Sequence, residues 1–163
     1  MISLTSHSVT DTHDIAAVVA SAVRAGDVVL LAGEMGAGKT AFTTGFARGL
    51  GVSDDEPVSS PTFNLVHSHQ SGRLPLVHAD LYRLTSTGEV ADLGLREEAD
   101  MGSVVLIEWG DVVAESFGDA LTIELVAGDD DDVRHVTLNA HGPRWVSRWE
   151  SLKRGLSRWS ESA

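Results

Sequence analysis

The stretch Val28–Phe42, VVLLAGEMGAGKTAF, constrains this chain more than any other. An apolar run enters a glycine-studded loop that ends in Lys39-Thr40 and leads into an amphipathic segment. Gly33 to Thr40 fits G-x-x-x-x-G-K-[ST] in full. Glycines let the backbone wrap a phosphate so that successive N–H groups point inward. The helix that follows adds its positive N-terminal end. In such a loop the lysine reaches the β- and γ-phosphates and the hydroxyl of the last residue meets Mg²⁺. Average residue frequencies put a chance match at about one chain of this length in a hundred or fewer. A short apolar strand over Asp27–Ala32 implies a parallel sheet buried on both faces. The helix runs from about Lys39 to Leu50, lined on one side by Phe42, Phe46 and Leu50 and stopped by Gly51.

The rest of the chain supplies elements for that sheet. A helix is predicted over Asp14–Arg24, capped by Thr10 or Thr12 and ended by Gly26. Val52–Ser60 reads as a loop. SSPTFNLVHSH and LPLVHADLYRL, split by the turn Ser71–Arg73, read as a hairpin or two neighbouring strands. A short helix is expected over Thr87–Leu93, then a second apolar strand within Gly102–Trp109. Leu121–Val126 and Val133–Asn139 read as antiparallel strands joined by AGDDDD. In the last segment Trp145, Trp149, Leu152, Leu156 and Trp159 fall at helical spacing, flanked by basic residues. The expected fold is an α/β, P-loop NTPase-like three-layer domain. It has a mostly parallel central sheet, additional antiparallel strands and a C-terminal helix. Residues 1–142 would form the nucleotide domain, with 143–163 packed on it or on a partner.

A phosphate cradle needs a carboxylate for magnesium, typically at the end of a neighbouring apolar strand. Glu108 ends VVLIE and Asp80 follows PLVHA, both where an α/β sheet opens toward its ligand crevice. His67, His69 and His78 alternate on the adjacent strands. They read as partly exposed strand histidines in preference to a metal site. Asp129–Asp132 lacks the spacing of a calcium loop and reads as a solvated turn.

Composition narrows the classes. The chain has no cysteine, which excludes disulfides, thiolate zinc sites and cysteine nucleophiles. No apolar run is long enough to span a bilayer, and no secretory pattern opens the chain, so the cytoplasm is the expected location. The net charge is −12, which disfavours a broad nucleic-acid face. From Pro143 onward five basic residues meet two acids, a net of +3 that leaves −15 on the first 142 residues.

Five segments occur together in order: GEMGAGKT at 33–40, SPTFNLV at 60–66, HADLYRL at 78–84, DLGLREE at 92–98 and LIEWGD at 106–111. Over residues 10 to about 140 the chain resembles the TsaE (YjeE) family, small P-loop ATPases required for threonylcarbamoyladenosine formation on tRNA. The resemblance implies ATP and Mg²⁺ as cofactors. It implies Thr40 and Glu108 as metal ligands. Gly33, Lys39 and the amides of Gly36, Ala37, Gly38, Lys39, Thr40 and Ala41 would form the triphosphate cradle. Asp80 would be a catalytic or magnesium-water-positioning carboxylate, with Lys39 and Glu108 as its catalytic companions. Thr62 would lie in a nucleotide-sensing loop, Thr10 near the N-terminal stretch that approaches the nucleotide, and Trp109 against the site or in the core. It further implies protein partners of the TsaD and TsaB type. ATP hydrolysis would reset the complex that modifies adenosine 37, with tRNA met only indirectly and no membrane. The terminal tryptophan-bearing segment lies outside the family pattern.

Two other classes compete. A small-molecule P-loop kinase would bring an arginine-rich lid, whereas Arg73, Arg83, Arg96 and Arg134 are scattered. A nucleotide-dependent scaffold would need no turnover. A GTPase is disfavoured, because neither Asn64 nor Asn139 begins an N-K-x-D element.

Overall fold

The computed structural model describes residues 1–34, 36–58, 66–81, 93–109 and 117–161. Seven strands form one sheet: β1 (Ile2–Ser6), β2 (Val28–Ala32), β3 (Val66–His69), β4 (Leu76–Asp80), β5 (Val104–Glu108), β6 (Ala120–Ala127) and β7 (Arg134–His141). Their order is β1-β7-β6-β2-β5-β4-β3. The four central strands β6, β2, β5 and β4 run parallel. Antiparallel partners close both flanks: β7 and β1 on one side, β3 on the other. β2 and β5 are buried at every position, as unbroken apolar runs between two covered faces must be.

The period of two along these strands sorts the core into halves. Val29, Leu31, Val104, Leu106 and Leu76 face one cluster with helices α1 (Val9–Ala22) and α2 (Lys39–Gly49). Val28, Leu30, Val105, Ile107 and Val77 face the other, with Leu95 of the short helix α3 (Leu95–Asp100). α1 and α2 pack closely because small residues let them. A Cβ on Gly45 would stand 2.6 Å from the His13 backbone, and one on Gly49 would stand 2.6 Å from Ala17 Cα.

Several boundaries differ from the sequence reading. α1 starts earlier and is capped by Ser8, whose hydroxyl accepts the Asp11 amide at 3.0 Å while the Asp11 carboxylate accepts the His7 amide. Thr12 is no cap; it is buried, its hydroxyl 2.7 Å from Ser6 Oγ. β1, an edge strand whose residues alternate buried and half-buried, is additional to the predicted elements. The terminal segment is not one helix. α4 (Trp149–Gly155) lies between single 3₁₀ turns at Val146–Arg148 and Ser157–Trp159. Its apolar stripe lies in the protein's own core: Trp145, Leu152, Leu156 and Trp159 are buried, and Trp149 packs against them. Leu4 and Ser160 form a bridge, and the Glu161 amide donates to Ser3 O at 3.0 Å. Two of the basic residues turn inward onto Asp27, which is fully buried. Arg148 bonds it with both Nη atoms (2.6 and 3.0 Å) and Arg144 with Nε at 2.9 Å.

Candidate functional site

β2 delivers the chain to the glycine loop at the C-terminal edge of the parallel strands, the edge at which β5 also ends. Gly36 and Gly38 take φ of 80° and 102°, a left-handed backbone that favours glycine. Gly38 is the N-cap of α2, and no side chain caps it. The first amides of α2 are therefore directed at the loop's interior, where an anion would satisfy them. Lys39 is buried in this arrangement. Its ammonium donates to the carbonyls of Gly33 and Glu34, the latter at 2.9 Å, and sits 4.0 Å above the Trp109 ring. Thr40 stands exposed on the first turn of α2, with Ala37 buried behind the loop and Ala41 half-buried. A capless helix start, left-handed glycines and an adjacent lysine fit a phosphate chain.

The two candidate acids meet at neighbouring strand ends, where Asp80 of β4 and Glu108 of β5 are register partners. Alternation places Asp80, His78 and Leu76 on one face with Glu108, Leu106 and Val104, the face covered by α1 and α2. Glu108 is 2% exposed, and its Oε2 lies 2.6 Å from Nε2 of the fully buried His78. Trp109 follows with φ of 63°, an unusual backbone for a bulky residue, which carries its ring beneath Lys39. Trp109 therefore both packs against the core and borders the loop.

Sequence reasoning missed two neighbours. Arg134, at the start of β7, donates from Nε to Ala37 O (3.1 Å) and from Nη2 to Gly36 O (3.2 Å). Its Nη1 holds Asp131 O and Val133 O. It braces the back of the loop from 97 residues away, a contact that no local pattern encodes. The second is His78. It is buried, not partly exposed, and His69 is buried as well; only His67 is half-buried. Burial, then the nearby His78 and His69, hold the His67 imidazole below its ordinary 6.5. Among the described residues no three histidines or acids cluster to hold a metal.

Thr10 lies exposed on the first turn of α1. Asp129–Asp132 forms an exposed turn. Arg73 donates to Ala20 O and Val23 O, and Arg96 lies over the Phe117 ring. Thr62 with most of SPTFNLV, Arg83 with YRL of HADLYRL, and all but Leu93 of the helix expected over 87–93 lie outside the described residues. Gly110 and Asp111 of LIEWGD do too. No helix among the described residues is long and apolar enough to cross a membrane.

The model of the family described as "Threonylcarbamoyl adenosine biosynthesis protein TsaE" matches residues 6–136. The tRNA threonylcarbamoyladenosine biosynthesis protein TsaE of Bacillus subtilis is 39% identical over 144 residues, covering 88% of this chain and 89% of the relative. The protein of the same name from Streptomyces coelicolor is 42% identical, covering 84% and 95%. The crystal structure of Bacillus subtilis YdiB superposes with a TM-score of 0.76 at 34% identity, over 97% of both chains.

Proposed function

The chain belongs to the TsaE family of threonylcarbamoyl adenosine biosynthesis proteins, and from that premise we propose that it binds and hydrolyses ATP to reset the complex that modifies tRNA adenosine 37. The observation that carries this reading is the juxtaposition of a complete, capless phosphate loop with two carboxylates on the adjoining strand ends.

Each residue has a task that its position supports. The amides from Gly36 to Ala41 receive the phosphate oxygens. Lys39 exchanges the carbonyls of Gly33 and Glu34 for the β- and γ-phosphates, neutral acceptors for anionic ones. Thr40 and Glu108 would hold Mg²⁺, which would neutralise phosphate charge. Asp80, beside Glu108, would orient the attacking water or one held by the metal. The water oxygen bonds to the γ-phosphorus as the bond to the bridging oxygen breaks, giving ADP and phosphate. Positioning and charge neutralisation suffice, with no covalent enzyme intermediate. Among the described residues, Arg73 and Arg134 are engaged with backbone carbonyls, which agrees with slow turnover alone and acceleration by partners. Those partners are proteins of the TsaD and TsaB type, which hold the tRNA; the acidic charge of this chain suits that division.

The test is phosphate release with and without the transferase proteins, alongside capture of those proteins in the presence and absence of ATP. Stimulated release and nucleotide-dependent capture are expected. Label transfer from ATP to a metabolite, or full tRNA modification by a Lys39→Ala variant that does not turn over ATP, would overturn the reading.

A further inference from the structure

We propose that His78 is a positioning residue that fixes the orientation of Glu108; the inference rests on the reading of Glu108 as a metal ligand. His78 has no exposed surface, stands on the central strand β4, and places Nε2 2.6 Å from Glu108 Oε2. The two side chains are diagonal neighbours on one face, since His78 is register partner to Leu106 and Glu108 to Asp80.

The contact joins a ring nitrogen to a carboxylate oxygen, and the other ring nitrogen, Nδ1, is buried with no hydrogen-bond partner, so the ring is held through Glu108. Metal-ligating carboxylates are commonly held by such outer partners. Here the partner comes from the neighbouring strand, so the sheet's own register sets the ligand's direction.

The test compares His78→Phe with His78→Gln, whose amide reaches the Nε2 position as a neutral donor. Full-length variants are titrated with a fluorescent ATP analogue in EDTA and in Mg²⁺, and the Mg²⁺ needed for half-maximal ATP hydrolysis is measured. For His78→Phe we expect that requirement to rise about 10- to 100-fold. Its nucleotide affinity in EDTA should stay within about twofold of the parent, because the phosphate loop is untouched. His78→Gln should restore most of the Mg²⁺ response. In a Glu108→Gln background, His78→Phe should change nothing further, because His78 acts through Glu108. An unaltered Mg²⁺ requirement, equal losses with and without Mg²⁺, or additive effects with Glu108→Gln would overturn the proposal. Should His78→Phe fail to fold, His78→Gln is set against His78→Asn, whose shorter amide falls short of Oε2; equal Mg²⁺ requirements in that pair overturn it. If Glu108→Gln alone kept the parent Mg²⁺ requirement, the ligand reading itself would fail, an outcome visible before any His78 variant is made.

Discussion

Asp27 and Glu108 are both buried carboxylates on adjacent central strands, one at the entry to β2 and the other at the exit from β5. Asp27 is met by two guanidiniums, bidentate from Arg148 and single from Arg144, with Arg148 stacked 3.9 Å from the Trp145 ring. Glu108 is met by an imidazole on the next strand. At the lower end of the sheet, charge is matched within the chain, and the match clasps the C-terminal segment onto the core. At the upper end, a carboxylate, a lysine folded onto carbonyls and a capless helix gather where a ligand with phosphates and a cation would complete them. Charged groups thus serve cohesion at one end and, in the proposed function, reception at the other.

The largest effect that would sharpen this contrast is at the lower end. Asp27→Ala leaves Arg148 buried without its counter-ion and should cost about 3–5 kcal/mol in denaturant unfolding. Nucleotide affinity of the folded fraction should be unchanged; a parallel loss of ATP binding would break the division between the two ends. Acid adds a second reading of the same pair. Burial pushes the Asp27 carboxyl up, but hydrogen bonds from Arg148, the Arg24 amide and Arg144 outweigh it, so its pKa lies below the ordinary 3.8. The pair's contribution is therefore complete above pH 3.8 and is lost as pH falls through the lowered value. Asp27→Asn should flatten the stability profile in that acid range, measured by thermal melts.

At the upper end the expected signs reverse. Lys39→Ala should weaken ATP binding by about 1.5–3 kcal/mol, the worth of a charged hydrogen bond. The melting temperature in the absence of nucleotide should change little. Unchanged ATP affinity, read by calorimetry, would remove the loop from the nucleotide site. Smaller again is Arg134→Ala, which deletes the two bonds to Gly36 O and Ala37 O. It should cost ATP affinity about 1 kcal/mol per bond at most, with Arg134→Lys recovering part of it. A loss confined to stability would make Arg134 a brace for the hairpin alone.

Much of this architecture was legible because it is written locally. The apolar runs of β2 and β5, the glycine loop and the register of phenylalanines on α2 each announce themselves within about 15 residues. That β4 and β6 join β2 and β5 in parallel was decided by the sheet, since both were read only through their antiparallel neighbours. β1 was missed although Ile2–Ser6 alternates, because so short a run is a strand only once β7 pairs with it. Nor was the break of the terminal helix into α4 and two 3₁₀ turns. The same tryptophan and leucine spacing serves a continuous helix and a bent one, and the start of the segment is held by Arg144 and Arg148 reaching Asp27 more than 115 residues away.

The sequence by itself determined the chemistry of the loop, since Gly38, Lys39 and Thr40 need only each other and the helix they begin. Family membership followed from the order of short segments. Only the tertiary structure decided what surrounds that loop. Arg134 arrives from β7, Trp109 turns under Lys39 through a left-handed backbone, and His78 meets Glu108 because β4 and β5 pair in one register. A shift of one residue in that pairing would send His78 to the opposite face. Local motifs fix which groups a chain carries; sheet register, which depends on burying both faces at once, fixes which of them touch.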